Sequence, residues 1–437
     1  MGVGLGGVTR KPVLVLMGSG ETSPTMVSVH RELVDRLRPK SAVLLDTPYG
    51  FQENVAEISA RAQAYFERSV GLTVDVPPGL RGLAEIGAGD DPRHDGARAR
   101  AADVGLAAVR GADWLFAGPG SPTYALTQWR GGPVGDALAD HVRTGRAALV
   151  FASAAACTLG AYALPVYEIY KAGARPHWLK GLDVLGRLGL KVAMIPHYDN
   201  AEGGTHDTRY CYLGERRLRV LERELPDDAA VLGLDEHTAA VMDVGRGLVE
   251  VRGRGSMTVR RSGESVVVPS GERLALTDLR AMVRGEAARR APVPPRDGDT
   301  EAVPPPATLR DTVVGCERRF EAGVREGDAE ALVRAVLDID AAVAEWAGDT
   351  EEDEGGTDWA RDVMRSLVVR LGQTAGRGLA DPRDALAPTV EPLIRVRAEL
   401  RRTGSYSLAD VVRDALKAAG VEVRDTPDGT HWQPDAT

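Results

Sequence analysis

Cysteine is nearly absent from this chain of 437 residues: Cys157, Cys211 and Cys316 are all there is, far apart and in no Cys-x-x-Cys pair. That argues against a structural zinc site or a disulfide framework and leaves three plain thiols. Long apolar runs are also missing; the longest are of strand length, well short of the roughly 20 residues a membrane-spanning helix needs. The N-terminus, Met-Gly-Val-Gly-Leu-Gly-Gly-Val-Thr-Arg-Lys, has no apolar segment followed by a small-residue cleavage site, which argues against a secretory signal and makes the cytoplasm the expected location. A surplus of positive charge is lacking too. The formal net charge is −9, which gives no overall attraction for nucleic acid and leaves only local arginine clusters to supply one.

What is present is a globular composition, 43% hydrophobic and 27% charged, in a chain long enough for two or three domains. The first two-thirds alternates short apolar runs with amphipathic stretches, the pattern of a parallel sheet covered by helices. Strands are expected over 13–17, 42–46, 72–76, 113–117, 147–152 and 192–195. From residue 230 the apolar runs 231–243, 247–252, 256–260 and 265–269, separated by glycine-containing turns, predict an antiparallel meander extending one edge of that sheet. A helix over 275–284 closes the region. Residues 289–307 are rich in proline and acidic residues and predict an exposed linker. Helical periodicity follows over 309–325, 329–347, 359–371, 388–402 and 407–419. The acidic run 349–354 predicts a solvated loop, and 421–432 a short β-like end turning at Pro427-Asp-Gly. The expected domains are 11–288 and 308–437.

The chemistry centres on Ala147-Ala-Leu-Val-Phe-Ala-Ser-Ala-Ala-Ala156, an apolar strand running into one serine and then into a helix-forming run. A nucleophile on such a strand-to-helix turn stands clear of the sheet, and the amide after it faces the oxyanion formed on attack. Ser153 is the candidate nucleophile. His197 follows a strand at Ile195-Pro-His and is expected at the carboxyl edge of the same sheet, where it can serve as base. Glu168, fifteen residues after Ser153, is the candidate acid that orients His197. The Gly120 amide in Gly118-Pro-Gly-Ser-Pro122 and the Ala154 amide are the candidate oxyanion hole.

Asp199, Glu202, His206 and Asp207 suit a substrate amine or a divalent metal, but their spacing matches no standard ligand set and no metal is expected. Arg209, Arg216 and Arg217 suit a substrate carboxylate or a solvated helix face. His206 is an alternative base; His237 is read as structural and Cys157 as a small buried residue. Gly18-Ser-Gly-Glu21 lacks the ending and spacing of a phosphate loop, so no nucleotide or other cofactor is expected.

The elbow serine, the acid fifteen residues on, the histidine after a strand and proline, and the downstream Gly233-Leu-Asp-Glu-His-Thr-Ala-Ala-Val resemble the dipeptidase E and cyanophycinase family. The resemblance covers about residues 11–280. It implies a flavodoxin-like α/β fold of the class I glutamine amidotransferase type, with a mostly parallel, doubly wound sheet and an antiparallel extension. It also implies a serine hydrolase of amide, peptide or ester bonds acting on a small-molecule or peptide substrate. The family's elbow is Gly-x-Ser-Ala-Gly-Ala; Phe151 and Ala155 stand here in place of its two glycines. Phe151, bulky where helix and strand pack closely, is expected to reshape or fill the site.

In the second region, Ile394-Arg-Val-Arg-Ala-Glu-Leu-Arg-Arg and the run from Ser407 to Asp425-Thr-Pro-Asp-Gly-Thr-His-Trp432 resemble the C-terminal end of cysteinyl-tRNA synthetases. The resemblance is good over the last 45 residues or so and weaker back to about 309. It implies a helical bundle associated with tRNA. His-Ile-Gly-His, Lys-Met-Ser-Lys-Ser and a zinc-binding Cys/His set are missing, so aminoacylation is not expected. Arg395, Arg397, Arg401, Arg402 and Arg413 are the candidate phosphate contacts, the alternative being a solvated, salt-bridged helix face. A binding protein that has lost hydrolase activity, and hydrolysis of an aminoacyl or peptidyl group from RNA, are the other readings of the whole chain.

Overall fold

The apolar runs of the first region form thirteen strands in a computed structural model, which describes residues 12–85, 92–203, 205–286, 307–349, 356–379, 382–426 and 429–434. In chain order they are β1 Val13–Met17, β2 Ala42–Leu45, β3 Trp114–Ala117, β4 Ala148–Ala152, β5 Tyr162–Ala163, β6 Leu179–Lys180 and β7 Val192–Ile195. After these come β8 Ala230–Leu234, β9 Thr238–Asp243, β10 Leu248–Gly253, β11 Ser256–Arg261, β12 Glu264–Pro269 and β13 Arg273–Ala275.

Two mixed sheets result, ordered β13-β10-β9-β1-β4-β3-β2 and β12-β11-β8-β7-β5-β6. β1, β4, β3 and β2 are parallel neighbours, as are β5, β7 and β8. β1 and β4 are buried along their whole length, as parallel strands covered on both faces must be. Side chains alternate across them: Leu14, Leu16, Leu149 and Phe151 enter one core, and Val13, Val15, Val150 and Ala152 the other. The first of these cores also holds Val192 and Met194 of β7 and Leu232 and Leu234 of β8, so it joins the two sheets.

Three expectations are corrected here. Residues 72–76 do not form a strand; only Asp75 makes an isolated bridge, to Val43. The meander does not extend one edge. β9 and β10 pair onto β1 in the first sheet, whereas β8, β11 and β12 belong to the second, and the chain crosses between sheets at the turn Asp235-Glu236-His237. His197 follows β7 and therefore lies on the second sheet, not on the sheet of Ser153. The helix Pro122–Trp129, not anticipated from the sequence, starts directly after the Gly118–Ser121 loop, with the Ser121 hydroxyl accepting from the Tyr124 amide at 3.1 Å.

The chain divides into two compact units, Met1–Thr312 with Ala342–Thr357, and Val313–Ala341 with Asp358–Thr437. The stretch 342–357, expected with the helical region, thus groups with the α/β unit. The helical region contains Leu309–Glu326, Ala329–Trp346, Gly356–Leu379, Pro382–Arg402 and Tyr406–Ala418, then a hairpin of β14 Val421–Thr426 and β15 Gly429–Pro434. Val390, Leu416, Val421 and Trp432 form a small core for that hairpin. The expected linker, apart from residue 307, lies outside the described residues, as do 350–354 of the acidic run and the hairpin turn residues 427 and 428. No described helix is long and apolar enough to cross a membrane.

Candidate active site

Ala152 is extended, with φ −125° and ψ 158°, and Ser153 turns at once to φ 43° before the helix Ser153–Thr158. That reversal is the sharp elbow, and Ala154, Ala155 and Ala156 leave room for it. The Ala155 amide donates to the Gly118 carbonyl at 3.2 Å, which brings the Gly118–Ser121 loop alongside the Ser153 turn. Gly120 holds φ +128°, and a Cβ there would lie 2.2 Å from the Pro48 carbonyl oxygen, so only glycine fits. Gly120, Ser153 and Ala154 line one cleft of about 460 Å³. The Ala154 amide lies in the first turn of its helix, where amides have no intrahelical acceptor.

His197 reaches Ser153 from the second sheet. Its Nε2 is 3.0 Å from Ser153 Oγ, and its Nδ1 is 2.9 Å from Glu236 Oε1. With Nδ1 donating to the carboxylate, Nε2 is left to accept the serine hydroxyl proton. The same Glu236 oxygen accepts from Asn200 Nδ2 at 3.0 Å, and the Glu236 amide donates to the Asp199 carboxylate at 2.7 Å. Burial pulls His197 down, but the Glu236 hydrogen bond and the charges of Glu236, Glu21 and Glu202 outweigh it, so its pKa lies above the ordinary 6.5. Burial pushes Glu236 up, and the His197 bond and charge with the Asn200 bond more than reverse this, holding it below the usual carboxylate value.

Glu236 takes the place that the sequence reading gave to Glu168. The latter lies in the first turn of the short helix Val166–Tyr170, and the carboxylate on His197 Nδ1 comes from the turn between β8 and β9 instead. Asp199 is likewise relocated: it serves the Glu236 backbone and is not part of the cleft wall. Arg209 is engaged by Asp207 through two bonds of 2.9 Å and also lies off the cleft wall. Glu202 and His206 do line the cleft; Glu202 accepts from the Tyr212 hydroxyl at 2.7 Å, and His206 stacks with Tyr170 at 6.4 Å. The imidazole beside Ser153 Oγ is that of His197, not of His206. Phe151 neither fills nor lines the cleft. Its ring is fully buried in the core, 6.2 Å from that of Trp129, because strand alternation turns it away.

His237 is bonded through Nδ1 to Thr25 Oγ1 at 2.9 Å, and burial pulls it down to about 4, so it is a neutral wall residue. Cys157 is buried and its thiol is pushed up to about 12 by that burial, out of the range of a nucleophile. Among the described residues, no group of three or more His, Cys, Asp or Glu side chains is arranged to hold a metal ion.

Backbone strain collects around this cleft. Ser153, His197, Tyr210, Cys211, Tyr212 and His237 all have positive φ, between 43° and 64°. Such conformations cost about 1–3 kcal/mol each and persist where surrounding structure imposes them, most often at functional sites. Tyr212 and Glu236 were not singled out from the sequence as site residues. Glu236 sat in a recognised segment, whereas nothing in the pattern around Tyr212 signalled it.

In the helical unit the candidate arginines part company. Arg397 is 1% exposed and grips Asp425 through bonds of 2.8 and 2.7 Å, so it ties the hairpin to its helix and is withdrawn from any phosphate. Arg401 also bonds Asp425, at 2.7 Å, but is half exposed. Arg402 pairs with Glu399, Arg413 lies 3.5 Å from Asp410, and Arg395 is exposed.

Residues 383–432 match the family described as cysteinyl-tRNA ligase anticodon binding domain. This anticodon-binding-like segment spans the arginine helix, the helix Tyr406–Ala418 and most of the hairpin. Cysteine–tRNA ligases are also similar to part of this chain: that of Thermococcus onnurineus is 52% identical over 44 residues, 10% of this chain and 9% of the ligase. That of Haloarcula marismortui is 33% identical over 129 residues, 29% of this chain and 26% of the ligase. The chain therefore spans about a quarter or less of the length of these relatives. Among solved structures, a peptidase from an acI-B1 Actinobacterium is similar over 61% of this chain and 98% of its own, at 18% identity and a TM-score of 0.47. A putative peptidase E protein from Listeria monocytogenes EGD-e is similar over 59% and 98%, at 14% identity and a TM-score of 0.35.

Proposed function

We propose that the α/β unit is a serine hydrolase of amide, peptide or ester bonds. The observation that carries this reading is the unbroken chain from Ser153 Oγ through His197 to Glu236, with steps of 3.0 and 2.9 Å at the edge of a cleft. Ser153 Oγ attacks the substrate carbonyl carbon as His197 Nε2 takes its proton. The tetrahedral oxyanion accepts hydrogen bonds from the Gly120 and Ala154 amides. Each such donor is typically worth about 2.7–4 kcal/mol of barrier. His197 then protonates the leaving amine or alkoxide, and the carbon–heteroatom bond breaks to give an acyl-serine. Water, deprotonated by His197, attacks that ester and releases the acid and free Ser153. Glu236 stabilises the imidazolium in both halves without itself taking the proton.

The segment 383–432 supports a second part of the reading, contact with tRNA through the helical unit. Combined with the first, it points to an acylated RNA as one substrate to be tried, alongside small acyl compounds and peptides.

The test is active-site titration with a fluorophosphonate. Wild type is expected to be labelled at Ser153 and Ser153→Ala to remain unlabelled; a folded wild type that takes no label refutes the hydrolase and leaves a binding protein. A gel-shift titration with tRNA tests the second part, where the affinity is expected to fall steeply with salt.

A further inference from the structure

Two cavities meet at the turn that carries Glu236. The Ser153 cleft, of about 460 Å³, and a neighbouring cavity of about 430 Å³ share three wall residues, Glu236, His237 and Trp346. The second cavity is otherwise bordered by Arg254, Thr308 and Arg310 among others. Trp346 ends the helix Ala329–Trp346 within the stretch 342–357 that groups with the α/β unit, and it is 8% exposed. Its ring meets the His237 imidazole in a T-shaped contact, with centroids 5.7 Å apart and planes at 77°.

This partition is firmly built on both sides. His237 is fixed by the Thr25 hydroxyl at 2.9 Å, its carbonyl accepts from the Arg254 amide at 3.0 Å, and the absent Cβ of Gly20 would lie only 2.1 Å from its Nδ1. Three residues after Trp346, the Asp349 carboxylate accepts from the Thr22 hydroxyl at 2.9 Å, which pins the same stretch to the loop after β1. The ring thus packs against His237, and the residues that follow it are anchored by the Thr22–Asp349 hydrogen bond.

We infer that Trp346 is a specificity-determining residue: with His237 it closes the end of the Ser153 cleft and restricts the enzyme to compact acyl groups. The inference rests on the hydrolase reading and adds the size class of its substrate. A cleft of about 460 Å³ is in the small-molecule range, and Trp346 and His237 are among the residues that border both it and the second cavity. Truncating Trp346 is expected to open a passage between the two spaces without altering Ser153, His197 or Glu236.

The experiment compares labelling of the full chain by ethyl fluorophosphonate and by its decyl counterpart, in wild type, Trp346→Ala and Trp346→Phe. Wild type is expected to prefer the ethyl reagent. Trp346→Ala is expected to raise the decyl-to-ethyl ratio of second-order rate constants about tenfold or more, the scale on which pocket size discriminates. Trp346→Phe, which keeps a ring at the partition, is expected to hold the ratio within about twofold of wild type. An unchanged ratio in Trp346→Ala, with Ser153 still labelled, overturns the inference and leaves the hydrolase standing. A wild type that neither reagent labels overturns both.

Discussion

Replacing Glu236 by glutamine probes the arrangement most directly, because it keeps the shape of the side chain and removes its charge. In the wild type, the carboxylate accepts from both His197 Nδ1 and Asn200 Nδ2. A glutamine carries no charge to stabilise the imidazolium, and its NH₂ favours the wrong imidazole tautomer when it faces Nδ1. Loss of the orienting carboxylate in such triads costs about 10⁴ in rate, equivalent to about 5.4 kcal/mol of barrier. The pH profile supplies the second readout. His197 must be neutral to accept the proton, and its pKa lies above 6.5, so the wild-type labelling rate should rise with pH through a midpoint above 6.5. In Glu236→Gln the largest raising influences are gone while burial, which lowers the pKa, remains, so the midpoint should move acid. The assay is the second-order rate constant for fluorophosphonate labelling of Ser153 across pH. A variant that labels within about threefold of wild type, with the midpoint unmoved, refutes the assignment of Glu236.

Three further outcomes are expected. Gly120→Ala should lower the labelling rate at least about a hundredfold, since the new Cβ meets the Pro48 carbonyl and displaces an oxyanion donor; a rate near wild type argues against that loop. Arg260→Met should destabilise the α/β unit by about 3–5 kcal/mol in urea unfolding, because the buried Arg260 bonds Glu215 and Glu222, and the buried Glu222 carboxylate would lose that ion pair and keep the Gly263 amide. The Arg260 hydrogen bond holds Glu215 down to about 2, so that part of the stability is present above the ordinary 4.5 and should fade as the pH falls toward 2. In tRNA gel shifts, Arg395→Ala and Arg402→Ala should each reduce the logarithmic salt slope by about one, whereas Arg397→Met should leave the slope unchanged and lower the stability of the helical unit by about 2 kcal/mol.

The local features of the site were legible because they are written in contiguous residues. An all-apolar strand followed by serine and alanines gives an elbow, and a glycine loop at the end of the adjacent strand gives its neighbour. Glu236 was harder. It lies 39 residues from His197, and its approach depends on β8 and β9 joining different sheets, a choice that alternating apolar residues do not encode. Fifteen-residue spacing favoured Glu168 only while both histidine and serine were assumed to share a sheet. Trp346 belongs to a helix whose pattern predicts burial somewhere, without saying against what. Arg397 could have been found: Val390, Ile394 and Arg397 repeat at the 3.6-residue period of one helix face, so an arginine there falls on the apolar side and needs an acid partner. The fate of Phe151 was equally readable, since strand alternation sets it with Leu149, away from the turn.

The division of Ser153 and His197 between two sheets makes their 3.0 Å hydrogen bond a gauge of alignment. A shift of one sheet over their common core by a fraction of an ångström would change that bond while leaving each ladder whole. Heating should therefore silence the serine before it melts the protein, with the labelling rate falling at temperatures where circular dichroism still reports every strand and helix intact.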